Sequence, residues 1–132
     1  MNQQKSPLVS VLVLNYNGKR FLDDCFCSLL KSTYSNFEII MIDNKSTDDS
    51  VAYTEEKYPE VEIFQNGVNG GFSLAYNNAF KFAKGKYFVV LNNDVSVDKA
   101  WIEPLVEEAE KDENIGALQP KLVSMLEPEK FE

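Results

Sequence analysis

Asp94 closes an Asn92-Asn93-Asp94 triplet that follows the apolar run Tyr87-Phe88-Val89-Val90-Leu91, and Asp43 directly follows Phe37-Glu38-Ile39-Ile40-Met41-Ile42. Both runs are short and rich in β-forming residues, so each reads as a strand, the later one buried on both faces. In an open α/β sheet the C-terminal ends of the strands border a crevice lined with unpaired backbone groups, and ligands bind there. A carboxylate at such an end can hold a hard divalent cation, and the cation a diphosphate. The plainer alternative, a polar turn that merely terminates the strand, is open to any isolated Asn-Asn-Asp. Two more polar segments follow strand-like runs in the same way. Asn15-Tyr16-Asn17-Gly18 succeeds Val9-Ser10-Val11-Leu12-Val13-Leu14, and Gln65-Asn66-Gly67-Val68-Asn69-Gly70-Gly71 succeeds Val61-Glu62-Ile63-Phe64. Gly70 and Gly71 lack a Cβ and let the backbone approach a ligand closely, with Asn69 beside them and Asn77 on the helix that follows.

For these ends to meet, the strands must run parallel, and the intervening segments supply the means. Over 19–31, Leu22, Cys25, Phe26, Leu29 and Leu30 recur at helical offsets. Ser46-x-x-Asp49 resembles a capping box opening a second helix toward Lys57, which Pro59 closes. Phe72, Ala75, Tyr76, Ala79, Phe80 and Ala83 keep helical spacing to a stop at Gly85, with Phe72, Tyr76 and Phe80 facing the core. Trp101, Leu105 and Ala109 mark a fourth helix, and 115–120 suggests a further strand that Pro120 places at a sheet edge. The alternation of strand and helix with short connections predicts an α/β fold of three layers, α/β/α, around a mostly parallel sheet. That topology carries all four polar ends to one edge.

With 132 residues, 44% apolar and 26% charged, the chain can build one core and is too short for two ordinary domains. Residues 1–132 therefore read as one domain or part of one, with flexible ends at 1–6 and 124–132. Thirteen Lys and Arg against 21 Asp and Glu give a net charge of −8, which offers no basic face to nucleic acid. Any phosphate bound must be met by metal and backbone N–H groups. No apolar run approaches the roughly 20 residues of a membrane-spanning helix, and the polar start has no signal-like segment. A cytoplasmic chain is expected, membrane-associated only through an acceptor or through regions beyond it. There is no His, and Cys25 and Cys27 are two apart on a helix, where side chains do not face each other, so disulfide, zinc and His-triad chemistry are not expected. The G-x-G-x-x-G turn and the Gly-Lys-Ser/Thr phosphate loop are missing, and a phosphoacceptor receiver domain would want acidic ligands where Asn15 and Asn17 stand.

Four motifs in order carry a resemblance: Val9 to Gly18, Ile42-Asp43-Asn44-Lys45-Ser46-Thr47-Asp48-Asp49-Ser50, Asn69-Gly70-Gly71-Phe72 with Asn77-Asn78, and Leu91-Asn92-Asn93-Asp94. Over about residues 9–121 the chain resembles the N-terminal half of a family 2 glycosyltransferase with the GT-A fold. The resemblance implies a nucleotide-diphospho-sugar donor. It puts Leu14 and Tyr16 beside the nucleobase with Asn15 between them, Asp43 on the ring of the base, and Asn69, Gly71 and Asn77 near the donor. Asn92-Asn93-Asp94 then matches the D-x-D signature, whose last carboxylate, here Asp94, ligates Mg²⁺ or Mn²⁺ bridging the diphosphate. Asn92 replaces the first Asp and can hydrogen-bond, for example, the ribose, but brings no charge to the metal. The sugar would pass with inversion to a glycan or lipid-linked acceptor. The carboxylate general base for that step lies in the second half of such folds, past this chain. Asp98, Asp112 and Glu113 are poor substitutes, one at a helix start and two at a charged helix end. Donor binding without transfer is therefore expected of these residues alone. A non-catalytic nucleotide-binding module or an interaction protein on the same scaffold are the alternatives.

Overall fold

The computed structural model describes residues 6–127. Along them run β1 (Val9–Asn15), α1 (Lys19–Leu30), β2 (Phe37–Asp43), α2 (Ser50–Lys57), β3 (Val61–Gln65), α3 (Gly71–Ala79), β4 (Tyr87–Asn92) and α4 (Ile102–Ala109). The four strands form one parallel sheet in the order β3-β2-β1-β4. In its register Asn15 lies opposite Asp43, Leu14 opposite Asn92, and Asp43 opposite Gln65. The polar ends thus share one edge, as the alternating pattern predicts.

Side chains alternate across a strand, and β1 shows what that does here. Val9, Val11 and Val13 point to one face and pack with Leu22, Cys25, Phe26 and Leu29 of α1, Ile39 and Met41 of β2, and Ile102 of α4. Leu12 points to the other face and meets Ile40, Ile42, and Ala75, Tyr76 and Ala79 of α3. Each fully buried branched or aromatic side chain contributes on the order of 1.5–3 kcal/mol, so the central pair β1–β2, covered on both faces, anchors the sheet.

Several elements depart from expectation. β4 is not buried on both faces: Phe88 and Val90 remain 45% and 46% exposed while Tyr87, Val89 and Leu91 turn inward. Among the described strands it lies at the edge, bonded to β1, and the α3 cluster packs over β1 and β2 instead. No strand forms at 115–120; Ile115 to Leu118 instead wall an apolar cavity of about 330 Å³ against Val9, Tyr87, Val89 and Ile102. Gly116 weakens the segment for a ladder and Pro120 has no N–H to give one. The Ser46 capping box is absent as well, because α2 begins at Ser50 without a side-chain cap and Ser46 Oγ is taken by Asn15 and Asn17. α3 stops at Ala79, well before Gly85. Gly85 serves the start of β4, donating its N–H to Ser10 Oγ at 2.8 Å in a space that a Cβ could not share. Tyr76 is core, but Phe72 is 54% exposed and lies on the Tyr76 ring. Of the ends expected to be flexible, 1–5 and 128–132 lie outside the described residues; Ser6 accepts a hydrogen bond from Asn36.

Candidate active site

Asn15, the last residue of β1, is fully buried. Its Nδ2 faces Asp43 Oδ1 at 3.2 Å, Ser46 Oγ at 3.1 Å and Ser50 Oγ at 2.9 Å, and its Oδ1 accepts from Asn93 Nδ2 at 2.8 Å. The second Asp43 oxygen accepts from the Ser46 N–H at 3.0 Å. Asp43 is 3% exposed, so its carboxylate is positioned from below by β1 and the β2–α2 turn. Buried polar groups must be paired, and this cluster satisfies that demand internally.

The β1–α1 and β2–α2 turns are locked together. Asn17 takes φ 49°, a left-handed conformation that Asn tolerates, and its Oδ1 accepts from the N–H groups of Thr47 at 2.7 Å and Asp48 at 3.2 Å. Its own N–H donates to Ser46 Oγ. Asp48 in turn accepts from Ser50 N and Oγ. Tyr16 is 52% exposed, and Leu14 is half-buried against the α3-face cluster.

On the β3 side, asparagines form a chain. Asn78 of α3 donates to Asn66, Asn66 to Asn44, and Asn44 to Asn69 Oδ1 at 2.7 Å, which also accepts from the Gly71 N–H. Gly71 has φ 78°, in the region that favours glycine. Asn69 and Gly71 are therefore held at the sheet edge, whereas Asn77 is exposed on α3 with no role in the chain. Beyond β4, Asn92 and Asp94 are exposed and Asn93 is half-buried. Tyr76 Oη donates to the Leu91 carbonyl at 2.7 Å, tying α3 to this end of β4. Behind the turn, burial first and the Asp94 charge second push the Cys25 thiol up to about 12, so Cys25 stays neutral.

Asn15, Asp43, Asn92, Asn93 and Asp94 thus share one edge of the sheet, with Leu14 and Tyr16 flanking Asn15 in β1 and its turn. Ser46, Ser50, Asn17, Asn44, Asn66 and Asn78 do the positioning and were not among the expected site residues. The readable signal was the density of asparagine at strand ends, since Asn and Ser side chains substitute for backbone partners in tight turns. Among the described residues no group of three or more Cys, Asp or Glu could hold a metal by itself. A lone exposed carboxylate does suit a cation that takes its other ligands from phosphate and water, the way Mg²⁺ is commonly held.

Residues 10–127 match the profile described as Glycosyl transferase family 2. The chain belongs to that family. This family 2 domain is 34% identical over 129 residues to an uncharacterized glycosyltransferase of Haemophilus influenzae, covering 96% of the chain and 40% of the relative. It thus spans well under half of that relative's length. The fold is GT-A-like: the crystal structure of Staphylococcus aureus TarS 1-349 superposes with TM-score 0.72 at 21% identity, over 91% of this chain and 42% of that 1-349 chain. TarS has also been solved with UDP and with UDP-GlcNAc. The mannosyltransferase PcManGT of Pyrobaculum calidifontis, in complex with GDP-Man and Mn²⁺, superposes with TM-score 0.64 at 23% identity over 70% of this chain and 29% of its own. No helix among the described residues is long and apolar enough to cross a membrane.

Proposed function

We propose that this family 2 domain binds a nucleotide-diphospho-sugar across the strand-end crevice and belongs to an enzyme that transfers the sugar, with inversion, to a glycan or lipid-linked hydroxyl. The observation that carries the reading is the placement of Asp43 and the Asn92–Asp94 turn on either side of one buried amide, Asn15. Family membership supports the transfer, and the UDP, UDP-GlcNAc and GDP-Man complexes of TarS and PcManGT support the donor class.

In this reading the exposed ring of Tyr16 stacks on the nucleobase with Leu14 at its edge. Asp43, whose oxygens retain lone pairs after their internal bonds, accepts from a ring N–H. Asn69, Gly71 and Asn77 border the donor on the α3 side, and Asn92 bonds the ribose. Asp94 would hold Mg²⁺ or Mn²⁺ together with the diphosphate oxygens. When bound, the cation supplies Lewis-acid neutralisation of the charge on the departing diphosphate, which a domain of net charge −8 does not otherwise provide. The general base is assigned to neither crevice carboxylate, since Asp43 is buried in hydrogen bonds and Asp94 faces the diphosphate.

Calorimetry of the domain with UDP, GDP and their monophosphates, with and without Mn²⁺, tests this. Asp94→Ala should remove the Mn²⁺-dependent gain in diphosphate affinity, and Asp43→Ala should weaken monophosphates too, by about tenfold for one lost charged hydrogen bond. Diphosphate binding by Asp94→Ala with an undiminished Mn²⁺ gain would refute the cation role.

A further inference from the structure

We propose that Asn15 and Asn93 are positioning residues: their hydrogen bond sets the Asp94 turn in register with Asp43, so that one donor can engage both ends of the crevice. The proposal rests on the crevice reading above and goes beyond it in assigning these two residues to each other rather than to the donor.

The chemistry of the Asn15 amide leaves it no spare donor. Nδ2 has two hydrogens and faces three acceptors, Asp43 Oδ1, Ser46 Oγ and Ser50 Oγ, in a residue of 0% exposure. Its orientation is dictated as well. A carboxylate and two hydroxyls on one side require the NH₂ there, because a flipped amide would turn its carbonyl oxygen toward the Asp43 carboxylate. The carbonyl is therefore obliged to face β4, where Asn93 meets it at 2.8 Å. The Asp43 charge polarises the amide and makes its oxygen a stronger acceptor for Asn93, so the two ends are linked through one polar group in a dry environment.

Asn93 is the matching half. Its neighbours Asn92 and Asp94 are exposed and make no side-chain hydrogen bond among the described residues, whereas Asn93 turns inward. Gly18 makes room for it: a Cβ at that position would collide with Asn93 Nδ2 and Asn15 Oδ1. Gly18 has φ −112°, which any residue adopts, so the glycine is needed there for space and not for its backbone angle. A β1–α1 loop that leaves this space, a buried amide that points its oxygen through it and an inward side chain on the far strand make up one device.

The test uses UMP without metal and UDP with Mn²⁺ as probes, measured by calorimetry on the wild type, Asn93→Ala and Gly18→Ala, with circular dichroism verifying that each is folded. Gly18→Ala displaces Asn93 while leaving its chemistry intact, so the two variants break the bridge by different routes. Both are expected to weaken UDP with Mn²⁺ about tenfold, the worth of about one net hydrogen bond, and UMP by no more than about threefold. A variant pair with the wild-type Mn²⁺ gain, or with equal fold losses for UMP and for UDP with Mn²⁺, overturns the positioning role. A wild-type domain that binds neither probe, nor GMP and GDP with Mn²⁺ in their place, overturns the crevice reading itself, and the bridge falls with it.

Discussion

At the β1–β2 end of the crevice Asn15, Asp43, Asn44 and Ser50 are all buried and bonded to one another, and two turns are stitched together through Asn17 and Ser46. At the β4 end Asn92 and Asp94 are exposed, the strand beneath them has one bare face, and Asn93 supplies the side-chain tie to the first region. The difference has a chemical logic. In the proposed reading, a flat base with a polar edge would meet a rigid shelf with a fixed acceptor, where preorganisation lowers the cost of binding. A hydrated cation and a diphosphate bring their own charge and ligands, so the group that meets them has to be accessible and mobile enough to complete a coordination shell.

The sharpest way to break the contrast is Asn15→Ala. It takes the donor from Asp43 Oδ1 and the acceptor from Asn93 Nδ2 together, and the loss of stability in urea denaturation is expected at about 2–4 kcal/mol. A loss under about 1 kcal/mol would mean that the β1–β2 end is held by its turns and not by this amide. Gly18→Ala strikes the link between the regions, crowding Asn93 Nδ2 most and the Asn15 carbonyl oxygen less. Its expected cost is about 1 kcal/mol, from one displaced hydrogen bond, with urea denaturation again the measurement.

Acid gives the smallest effect and sharpens the comparison from below. Asp23 on α1 accepts from Lys57, Tyr58 and Tyr53, which in that order lower its carboxyl to about 2. Its folded pKa lies below its unfolded value, so the stabilisation is complete above about pH 4 and is lost as pH falls toward 2. With its side chain 48% exposed, solvent screens much of it. Since these bonds join α1 to α2 beside the interlocked turns, acidification toward pH 2 should loosen the β1–β2 end first, seen as earlier line broadening of Asn17 and Thr47 amides than of Asp94. Asp23→Asn should remove that pH dependence.

How much of this could be read beforehand follows from the range of each interaction. The strands and their polar ends were legible because apolar runs and strand breakers are local signals, and parallel pairing then places the ends together without further information. Asp43 and Asp94 could be singled out for the same reason. The bareness of Phe88 and Val90 was not legible, because a run of apolar residues looks the same in a central strand and at an edge, and strand order decides which it is. Ser46 shows a second kind of failure. A capping box is a pattern of residue types, and here the hydroxyl it needs is taken by Asn15, 31 positions earlier in the chain. Asn15 itself was placed at the donor by its position, while its role as a hub depends on partners from β2, α2 and the turn after β4.

The strand order also sets a timetable for assembly. β1 and β2 are joined through α1 alone, and they can pair, with the Asn17 and Ser46 stitch, once the first half of the chain is available. β4 must return across β2, β3 and α3 to lie on the far side of β1, and the Asn15–Asn93 bond closes a span of 78 residues. Loop-closure entropy makes contacts of that separation late ones. During synthesis the β1–β2 end therefore takes shape while β1 still offers an unpaired edge, and the Asn92–Asp94 turn arrives only when β4 fills it. In that interval the open edge of β1 can recruit a foreign strand, which makes the moment before β4 docks the most aggregation-exposed stage in the life of the chain.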